Sequence, residues 1–297
     1  MPPADSVAPS PLSPIVAGVW RMDEWNFDVA ARQRWVEHCL ALGITTFDHA
    51  DIYGDYQVER LFGEVLAAAP GLRDSMQLVT KFGIKLRSVH RPSHGVKAYD
   101  TSRQHIIDSV DASLRALHTD RIDLLLIHRP DVLMDPAEVA ETFHALRASG
   151  KVLHFGVSNH TPAQFARLHR CIPLITNQVE LSPLQLGALG DGSLDQCLDL
   201  GIRPMIWSPL AGGRLVTSTA DDAVRVRTAL QALATQHGVT ATTIAYAWLL
   251  RHPSRPIPMT GSRRIEALQE AIAALAVTLS REEWYRVWEA GAGHEVA

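Results

Sequence analysis

Strand-like and helix-like segments alternate along nearly the whole chain of 297 residues. The strand candidates are short aliphatic runs at 15–20, 45–50, 77–82, 122–128, 153–158, 174–180, 204–207 and 256–260. Between them, the sequence predicts helices at 28–42, 58–69, 102–117, 136–149, 162–169, 194–200 and 222–237. Eight strands joined by helical crossovers favour an α/β fold, a closed parallel (β/α)8 TIM barrel. Segments 242–251 and 281–290 predict additional helices, the second of them C-terminal.

The composition is that of one large globular domain. Hydrophobic residues make up 46% of the chain and charged residues 20%, and TIM barrels of about 250 residues or more fold as single domains. We therefore predict one domain at 15–297, preceded by a flexible tail at 1–14 that contains five prolines. The alternative, an open doubly wound sheet that binds a nucleotide, would carry Gly-x-Gly-x-x-Gly after its first strand. This sequence has no such run there.

Charge and hydropathy exclude several classes of partner. The net charge of −4 gives no long-range attraction to nucleic acid or to anionic lipid. No apolar run reaches the roughly 18 residues of a membrane-spanning helix, and residues 1–14 lack the basic and apolar regions of a signal peptide. We therefore predict a cytoplasmic protein without a nucleic-acid or membrane partner. No separate apolar appendage indicates assembly, so we expect a monomer.

Neither a disulfide framework nor a metal site is predicted. The cysteines are odd in number and widely spaced, at Cys39, Cys171 and Cys197. An acidic cluster around His49 lacks the His-x-His pairing and the distant carboxylate of metal-dependent barrel hydrolases. A metal-dependent barrel hydrolase is therefore the least favoured of the functions considered for this chain.

Polar residues follow three of the predicted strands at the point where each strand ends. Asp48 and then Tyr53 follow one strand, Lys81 ends the next, and His128 ends the strand after that. The carboxyl ends of barrel strands meet at one face, where the active sites of this fold lie. Each residue alone has an ordinary structural explanation: a turn aspartate, a core tyrosine, a surface lysine, a barrel-end histidine. Together they predict a catalytic site.

The chemistry of these four residues suits carbonyl reduction. A tyrosine hydroxyl titrates near pH 10, and a neighbouring ammonium such as Lys81 lowers that pKa. Asp48 can anchor the ammonium, and His128 can orient a carbonyl or relay a proton. Tyrosine would then protonate the carbonyl oxygen while hydride reaches the carbon. Because no side chain carries hydride, this reaction requires a nicotinamide cofactor.

Several segments resemble the aldo-keto reductase superfamily, in the order in which that family has them. They are Phe47-Asp48-His49-Ala50-Asp51-Ile52-Tyr53-Gly54 with Glu59 and Phe62-Gly63-Glu64, Leu125-Leu126-Ile127-His128-Arg129-Pro130-Asp131, Gly150-Lys151-Val152 with Phe155-Gly156-Val157-Ser158-Asn159, Asn177-Gln178-Val179-Glu180, and Trp207-Ser208-Pro209-Leu210. The resemblance implies a TIM barrel that reduces aldehydes or ketones with NADPH. It also implies that Tyr53 is the general acid and that Lys81, Asp48 and His128 assist it.

The same resemblance implies the cofactor contacts. Ser158, Asn159 and Gln178 would bind the carboxamide, and Trp207 would stack on the nicotinamide. The pyrophosphate would lie along Ser208, Leu210, Gly212 and Gly213. Ser262, Arg263 and Arg264 would hold the 2′-phosphate at a helix N-terminus, and Trp20 and Glu270 complete the predicted set. The sequence departs from the family at Ala267 and Ala271, where family members often have a basic residue and an asparagine. We still expect NADP(H) as the cofactor.

Substrate contacts are expected from the loops that follow the strands. Trp20, Trp25, His128 and Arg129 are the candidates, and a long basic segment at 87–99 lies in another such loop. The two tryptophans indicate an apolar pocket for a small aldehyde or ketone. The alternative function is a barrel that binds NADPH as a sensor, with vestigial catalysis.

Overall fold

A computed structural model describes residues 10–296 of the chain. In this part of the chain, eight parallel strands close into a barrel. The barrel strands are β1 (Val16–Gly18), β2 (Thr46–Asp48), β3 (Gln77–Phe82), β6 (Ile122–Ile127), β7 (Val152–Ser158), β8 (Asn177–Glu180), β9 (Met205–Trp207) and β10 (Ile257–Thr260). Around the barrel they follow the order β1-β10-β9-β8-β7-β6-β3-β2. The predicted (β/α)8 TIM barrel is confirmed.

Helices lie between the strands, and two more follow the last strand. They are α1 (Val29–Ala41), α2 (Val58–Ala68), α3 (Arg103–Ala116), α4 (Pro136–Ala148), α5 (Pro162–His169), α6 (Ser193–Asp199), α7 (Arg214–Thr217), α8 (Asp221–His237), α9 (Ala241–Leu250), α10 (Ile265–Ala273) and α11 (Arg281–Ala292). Helices α9 and α11 are the two additional helices predicted from the sequence.

Local sequence signals explain where many of these helices begin. The side chain of Thr161 accepts a hydrogen bond from the Gln164 backbone N–H, and the side chain of Gln164 accepts one from the Thr161 backbone N–H. Pro162 occupies the first turn of α5. Helix α4 begins in a similar way, with Asp135 as its cap and Pro136 at its first position.

A short antiparallel hairpin interrupts the crossover that follows β3. It pairs β4 (Ile84–Lys85) with β5 (Ala98–Tyr99), so the predicted basic loop at 87–99 ends in a strand. Residues 86–97, between the two strands, are called the β4–β5 segment below.

The described residues divide into two compact units, Pro11–Asn177 and the described part of Gln178–Ala297 together with Ser10. Each unit has its own buried apolar residues. In the first, Phe47 of β2 lies between Trp35 of α1 and Phe62 of α2, with ring centroids 6.1 and 5.3 Å away. In the second, Trp248 and Trp284 stack at 5.1 Å. The single domain at 15–297 stays a prediction.

The predicted N-terminal tail falls mostly on residues 1–9, which lie outside the described residues. Within the described part, Leu12 and Ser13 are already buried. The Ser13 hydroxyl accepts hydrogen bonds from the backbone N–H groups of Thr45 and Thr46, at 3.3 and 3.1 Å. The chain is therefore packed from Leu12 onwards.

No helix within residues 10–296 is both long and apolar enough to cross a lipid bilayer.

Candidate active site

Three of the four predicted catalytic side chains form one hydrogen-bonded group. The Lys81 ammonium donates to Asp48 Oδ2 at 2.6 Å, to the backbone oxygen of His49 at 2.7 Å and to Tyr53 Oη at 3.0 Å. Lys81 and Asp48 are buried, with 1% and 2% of their surface exposed. The three donor positions of the ammonium are thus all used, one of them by the tyrosine hydroxyl.

Strand alternation places these groups on the inner face of the barrel. Phe47 packs outward against α1 and α2, so the next residue, Asp48, faces inward. On β3, Thr80 donates to Glu59 of α2 at 2.6 Å, so Lys81 also faces inward. The backbone N–H of Asp51 donates to the Lys81 oxygen at 3.1 Å, which holds the start of the Tyr53 turn beside β3.

The electrostatics of the ion pair favour charged lysine. Burial alone would lower the pKa of the Lys81 ammonium, but the Asp48 carboxylate and the Tyr53 hydroxyl outweigh it, and the net pKa is raised. Lys81 is therefore a cation at neutral pH.

The pKa of the Tyr53 hydroxyl is raised as well, contrary to our expectation. Burial is the largest effect and raises it, while the Lys81 ammonium lowers it by less. The sequence identified the neighbouring charge correctly but could not show how far the phenol is removed from water. Tyr53 is consequently a protonated hydroxyl at neutral pH.

His128 lies next to the same hydroxyl-bearing ring. Its imidazole meets the Tyr53 ring edge-on, with centroids 5.9 Å apart, and its backbone N–H donates to Phe82 of β3 at 2.9 Å. Burial first, and then the charges of Lys81 and Arg129, lower its pKa well below the usual value. Its Nδ1 atom is buried and has no hydrogen-bond partner among residues 10–296. His128 is thus a neutral imidazole beside the acid.

The two tryptophans predicted to contact substrate differ in exposure. Trp20 is 55% exposed, and its ring centroid lies 6.4 Å from that of Tyr53. Trp25 is only 5% exposed and packs edge-on against Trp35, at 4.8 Å. Trp20 therefore forms an exposed aromatic surface next to Tyr53, whereas Trp25 belongs to the packing of α1. Arg129 is half-buried beside His128. The substrate roles of all four candidates stay predictions.

The Ser-Asn pair at the end of β7, Ser158 and Asn159, lies beside the end of β6. Asn159 adopts a left-handed backbone, with φ of 59°. Its side-chain amide donates to Ser158 Oγ at 2.7 Å and to the backbone oxygen of His128 at 3.4 Å. The structure therefore brings the predicted carboxamide contacts Ser158 and Asn159 to the predicted catalytic histidine.

The second unit contains the other predicted cofactor residues. Gln178 is buried on β8, and its amide lies 3.9 Å from the Met205 sulfur. Trp207 ends β9 and is half-buried. The following turn has positive φ at four positions, Ser208, Ala211, Gly212 and Gly213, which turns the backbone sharply before α7. Leu210 lies within this turn.

Helix α10 begins at the predicted phosphate site. Arg263 and Arg264 are exposed, and Ser262 Oγ accepts from the Arg264 backbone N–H at 3.1 Å. No described side chain caps the helix. Ala267 and Ala271 are buried in the same helix, and the backbone oxygen of Glu270 accepts from Thr243.

One buried group that we did not predict supports the site from outside the barrel. Glu59 accepts hydrogen bonds from Thr80 at 2.6 Å and from Ser113 of α3 at 3.0 Å. Burial raises the pKa of its carboxyl, and the two hydroxyls lower it by less. The signal was present in the sequence, because Glu59 shares a helical face with Phe62 and Leu66 at spacings of three and seven residues.

Within residues 10–296, no group of three or more His, Cys, Asp or Glu side chains is arranged to hold a metal ion. All three cysteines are free thiols, two of them buried.

Known proteins of one family resemble this chain over most of its length. Residues 14–292 match the model of the aldo/keto reductase family. The chain is 48% identical over 288 residues to an uncharacterised oxidoreductase, YcsN, of Bacillus subtilis, covering 96% of each protein. It is 45% identical over 289 residues to a 6-dehydroglucose reductase of Agrobacterium fabrum, again covering 96% of each.

A solved structure shares the fold. The glycerol dehydrogenase of Gluconobacter oxydans superimposes with a TM-score of 0.83 at 23% identity, covering 97% of this chain and 94% of that one. The whole-length family match and the relatives above 40% identity leave one assignment. The chain belongs to the aldo/keto reductase family of oxidoreductases.

Proposed function

We propose that the protein reduces the carbonyl group of a small aldehyde or ketone with hydride from NADPH, and that Tyr53 is the general acid. The observation that carries this proposal is the 3.0 Å hydrogen bond between the Tyr53 hydroxyl and the buried Lys81–Asp48 ion pair. A protonated phenol next to a fixed cation can give up its proton as charge develops on the carbonyl oxygen.

Each of the four residues then has a distinct task. Tyr53 donates its proton, and the Lys81 ammonium stabilises the phenolate that remains. Asp48 holds the ammonium in place at 2.6 Å. His128, neutral because its pKa is lowered, can hydrogen-bond the carbonyl oxygen without bringing a second positive charge to the site.

The predicted cofactor residues suit a nicotinamide dinucleotide. Such cofactors are general in this family, and when bound the nicotinamide supplies the hydride. In the first unit, Asn159 and Ser158 offer an amide and a hydroxyl, the donors and acceptors that a carboxamide needs. In the second unit, Arg263 and Arg264 at the uncapped start of α10 suit a phosphate. That pair is why we propose NADPH over NADH.

A sugar-derived carbonyl compound is the first substrate to test. The Agrobacterium fabrum relative is named a 6-dehydroglucose reductase and matches 96% of this chain. The exposed ring of Trp20, 6.4 Å from the Tyr53 ring, offers a flat apolar surface to a ring-shaped substrate.

Replacement of one hydroxyl tests the proposal. Purified enzyme with NADPH should reduce 6-dehydroglucose or members of a panel of aldehydes and ketones, measured as loss of absorbance of the reduced nicotinamide. Tyr53→Phe should lower kcat/KM by about 10²–10⁴-fold, while NADPH affinity changes little. Tyr285→Phe, at a half-buried tyrosine of α11, is the matched control and should retain full activity. Normal turnover by Tyr53→Phe would refute the role of Tyr53.

A further inference from the structure

The turn that carries Tyr53 continues through three consecutive residues with left-handed backbone. Gly54, Asp55 and Tyr56 have φ of 54°, 52° and 69°. This region is open to glycine but unfavourable for residues with a Cβ, and such strain persists only where surrounding contacts hold it. Something must therefore hold Asp55 and Tyr56 in place, directly after the catalytic tyrosine.

The β4–β5 segment supplies those contacts through Tyr56. The Tyr56 hydroxyl accepts a hydrogen bond from the Leu86 backbone N–H at 2.9 Å, and His94 Nδ1 lies 3.5 Å from the same oxygen. The Arg91 guanidinium lies 4.7 Å from the centre of the Tyr56 ring. The ring is therefore bonded at its oxygen and covered by a cation on its face.

The turn is confined on another side as well. A Cβ atom added to Gly54 would lie 2.8 Å from Asp23 Cγ and equally close to a methyl group of Val58. The backbone N–H of Gln57 donates to the Tyr53 oxygen at 3.1 Å, which closes the turn on itself. The turn therefore lies between Asp23 and the β4–β5 segment.

Leu86, whose backbone N–H donates to the Tyr56 hydroxyl, is fixed relative to Lys81. Leu86 directly follows β4, which begins three residues after Lys81. Strand β4 is held by its pairing with β5 and by the Lys85–Asp100 ion pair at 3.2 Å. Tyr53 and Lys81 are thus linked twice, by their own hydrogen bond and by the path through Tyr56 and Leu86.

We propose that Tyr56 is a positioning residue for the reaction, which holds the Tyr53 hydroxyl at hydrogen-bond distance from Lys81 by docking the strained turn on the β4–β5 segment. This inference rests on the proposed function for its catalytic consequence. The docking itself concerns Tyr56, Leu86 and the turn alone. A displacement of about 1 Å in a reacting group can cost about 100-fold in rate, so loss of one anchoring hydrogen bond should be visible in hydride transfer.

Tyr56→Phe is the test, with Tyr285→Phe on α11 as the matched loss of a tyrosine hydroxyl elsewhere. Phenylalanine keeps the ring under Arg91 but gives Leu86 no acceptor. We expect a fall of about tenfold or more in the single-turnover rate of NADPH oxidation, with NADPH affinity and melting temperature nearly unchanged. We also expect amide hydrogen exchange at Leu86 and at residues 52–58 to become about tenfold faster, and only there.

The two readouts separate this inference from the proposed function. Unchanged exchange at Leu86 and the turn overturns the docking role, whether or not the enzyme is active. Faster exchange with an unchanged hydride-transfer rate overturns the positioning role. If the unmodified protein reduces no carbonyl compound tested, the proposed function fails, and the exchange data alone decide whether Tyr56 holds the turn.

Discussion

Lys81 shows how a charged side chain can be kept inside a barrel. An ammonium removed from water is costly unless it is paired and fully hydrogen-bonded. Here its three partners are a carboxylate, a backbone oxygen and a phenol, all within 3.0 Å. Loss of either charged partner would leave the other as an isolated buried charge, so Asp48 and Lys81 depend on each other for stability.

A second buried polar residue has no such partners. His49 is fully buried, and neither ring nitrogen has a hydrogen-bond partner among residues 10–296. Its imidazole meets the Phe62 ring edge-on at 4.5 Å. Burial first, and then the charge of Lys81, lowers the pKa of His49 to about 3. The folded protein therefore resists protonation of His49, which the unfolded chain accepts at the usual value of 6.5.

This difference predicts a loss of stability in acid that depends on His49. A lowered folded-state pKa contributes stability that is present above pH 6.5 and is lost as the pH falls from there towards about 3. When the pH falls from neutral by about two units, one such histidine should lower the free energy of unfolding by about 2 kcal/mol. In His49→Leu that part of the loss should disappear. Urea unfolding of the wild type and of His49→Leu, at neutral pH and about two pH units lower, measures this difference.

The control is His144→Leu on the exposed face of α4, which should leave the pH dependence of the wild type intact. Equal losses of stability in His49→Leu and the wild type would contradict the assignment. Other histidines also have lowered pKa values, among them His160, with a pKa of about 4, and His128. Part of the acid sensitivity should therefore remain in the variant.

At the scale of elements, the layer outside β2 and β3 depends on close packing of α2 against α3. A Cβ atom built on Gly63 would overlap the backbone oxygen of Ala116. Glu59, one turn earlier on the same face of α2, bonds to Thr80 of β3 and Ser113 of α3. Because α2 starts just after the Tyr53 turn, this contact also fixes that turn against the strand of Lys81.

Gly63→Ala should therefore destabilise the protein by about 2–3 kcal/mol or more, since α2 or α3 must shift to admit one methyl group. Gly71→Ala is the matched control, because a Cβ at Gly71 meets no atom within 4 Å. It should change stability by less than about 1 kcal/mol. The denaturant midpoints of Gly63→Ala and Gly71→Ala measure this difference in stability. Equal midpoints would show that the packing of α2 against α3 tolerates a methyl group.

Most elements could be predicted because their signals are local. The Leu78-Val79-Thr80 run of β3 and the Thr161–Pro162 start of α5 predicted bounds that match the structure. The hairpin of β4 and β5 was missed because strands of two residues are too short to show alternation. The links of Glu59 to Thr80 and of Tyr56 to Leu86 join residues 21 and 30 positions apart, and only tertiary structure brings such pairs together.

At the scale of the whole molecule, sequence motifs and fold lead to the same family, whereas the proposed choice of cofactor rests on a few residues. The relatives from Bacillus subtilis and Agrobacterium fabrum each match 96% of this chain, so the family assignment applies to nearly its full length. Arg263 and Arg264 then bear on the choice between NADPH and NADH. The cytoplasmic location and the monomeric state stay predictions from sequence.

Ligand-induced stabilisation provides a whole-molecule test of the cofactor. A ligand at about 100 times its Kd adds about 2.7 kcal/mol to the unfolding free energy, which corresponds to a rise of roughly 4 °C in Tm for a protein of this size. We expect NADP⁺ to raise Tm more than NAD⁺ at equal concentration, because only NADP⁺ has a 2′-phosphate for Arg263 and Arg264.

The double variant Arg263→Ala/Arg264→Ala should reduce the NADP⁺ shift to the size of the NAD⁺ shift and leave the NAD⁺ shift unchanged. Arg286→Ala, an exposed arginine on α11, should retain the full NADP⁺ shift. Ala267 and Ala271 are buried in α10, so the proposed preference for NADPH depends on the two arginines. A larger shift with NAD⁺ than with NADP⁺ in the unmodified protein would refute that preference.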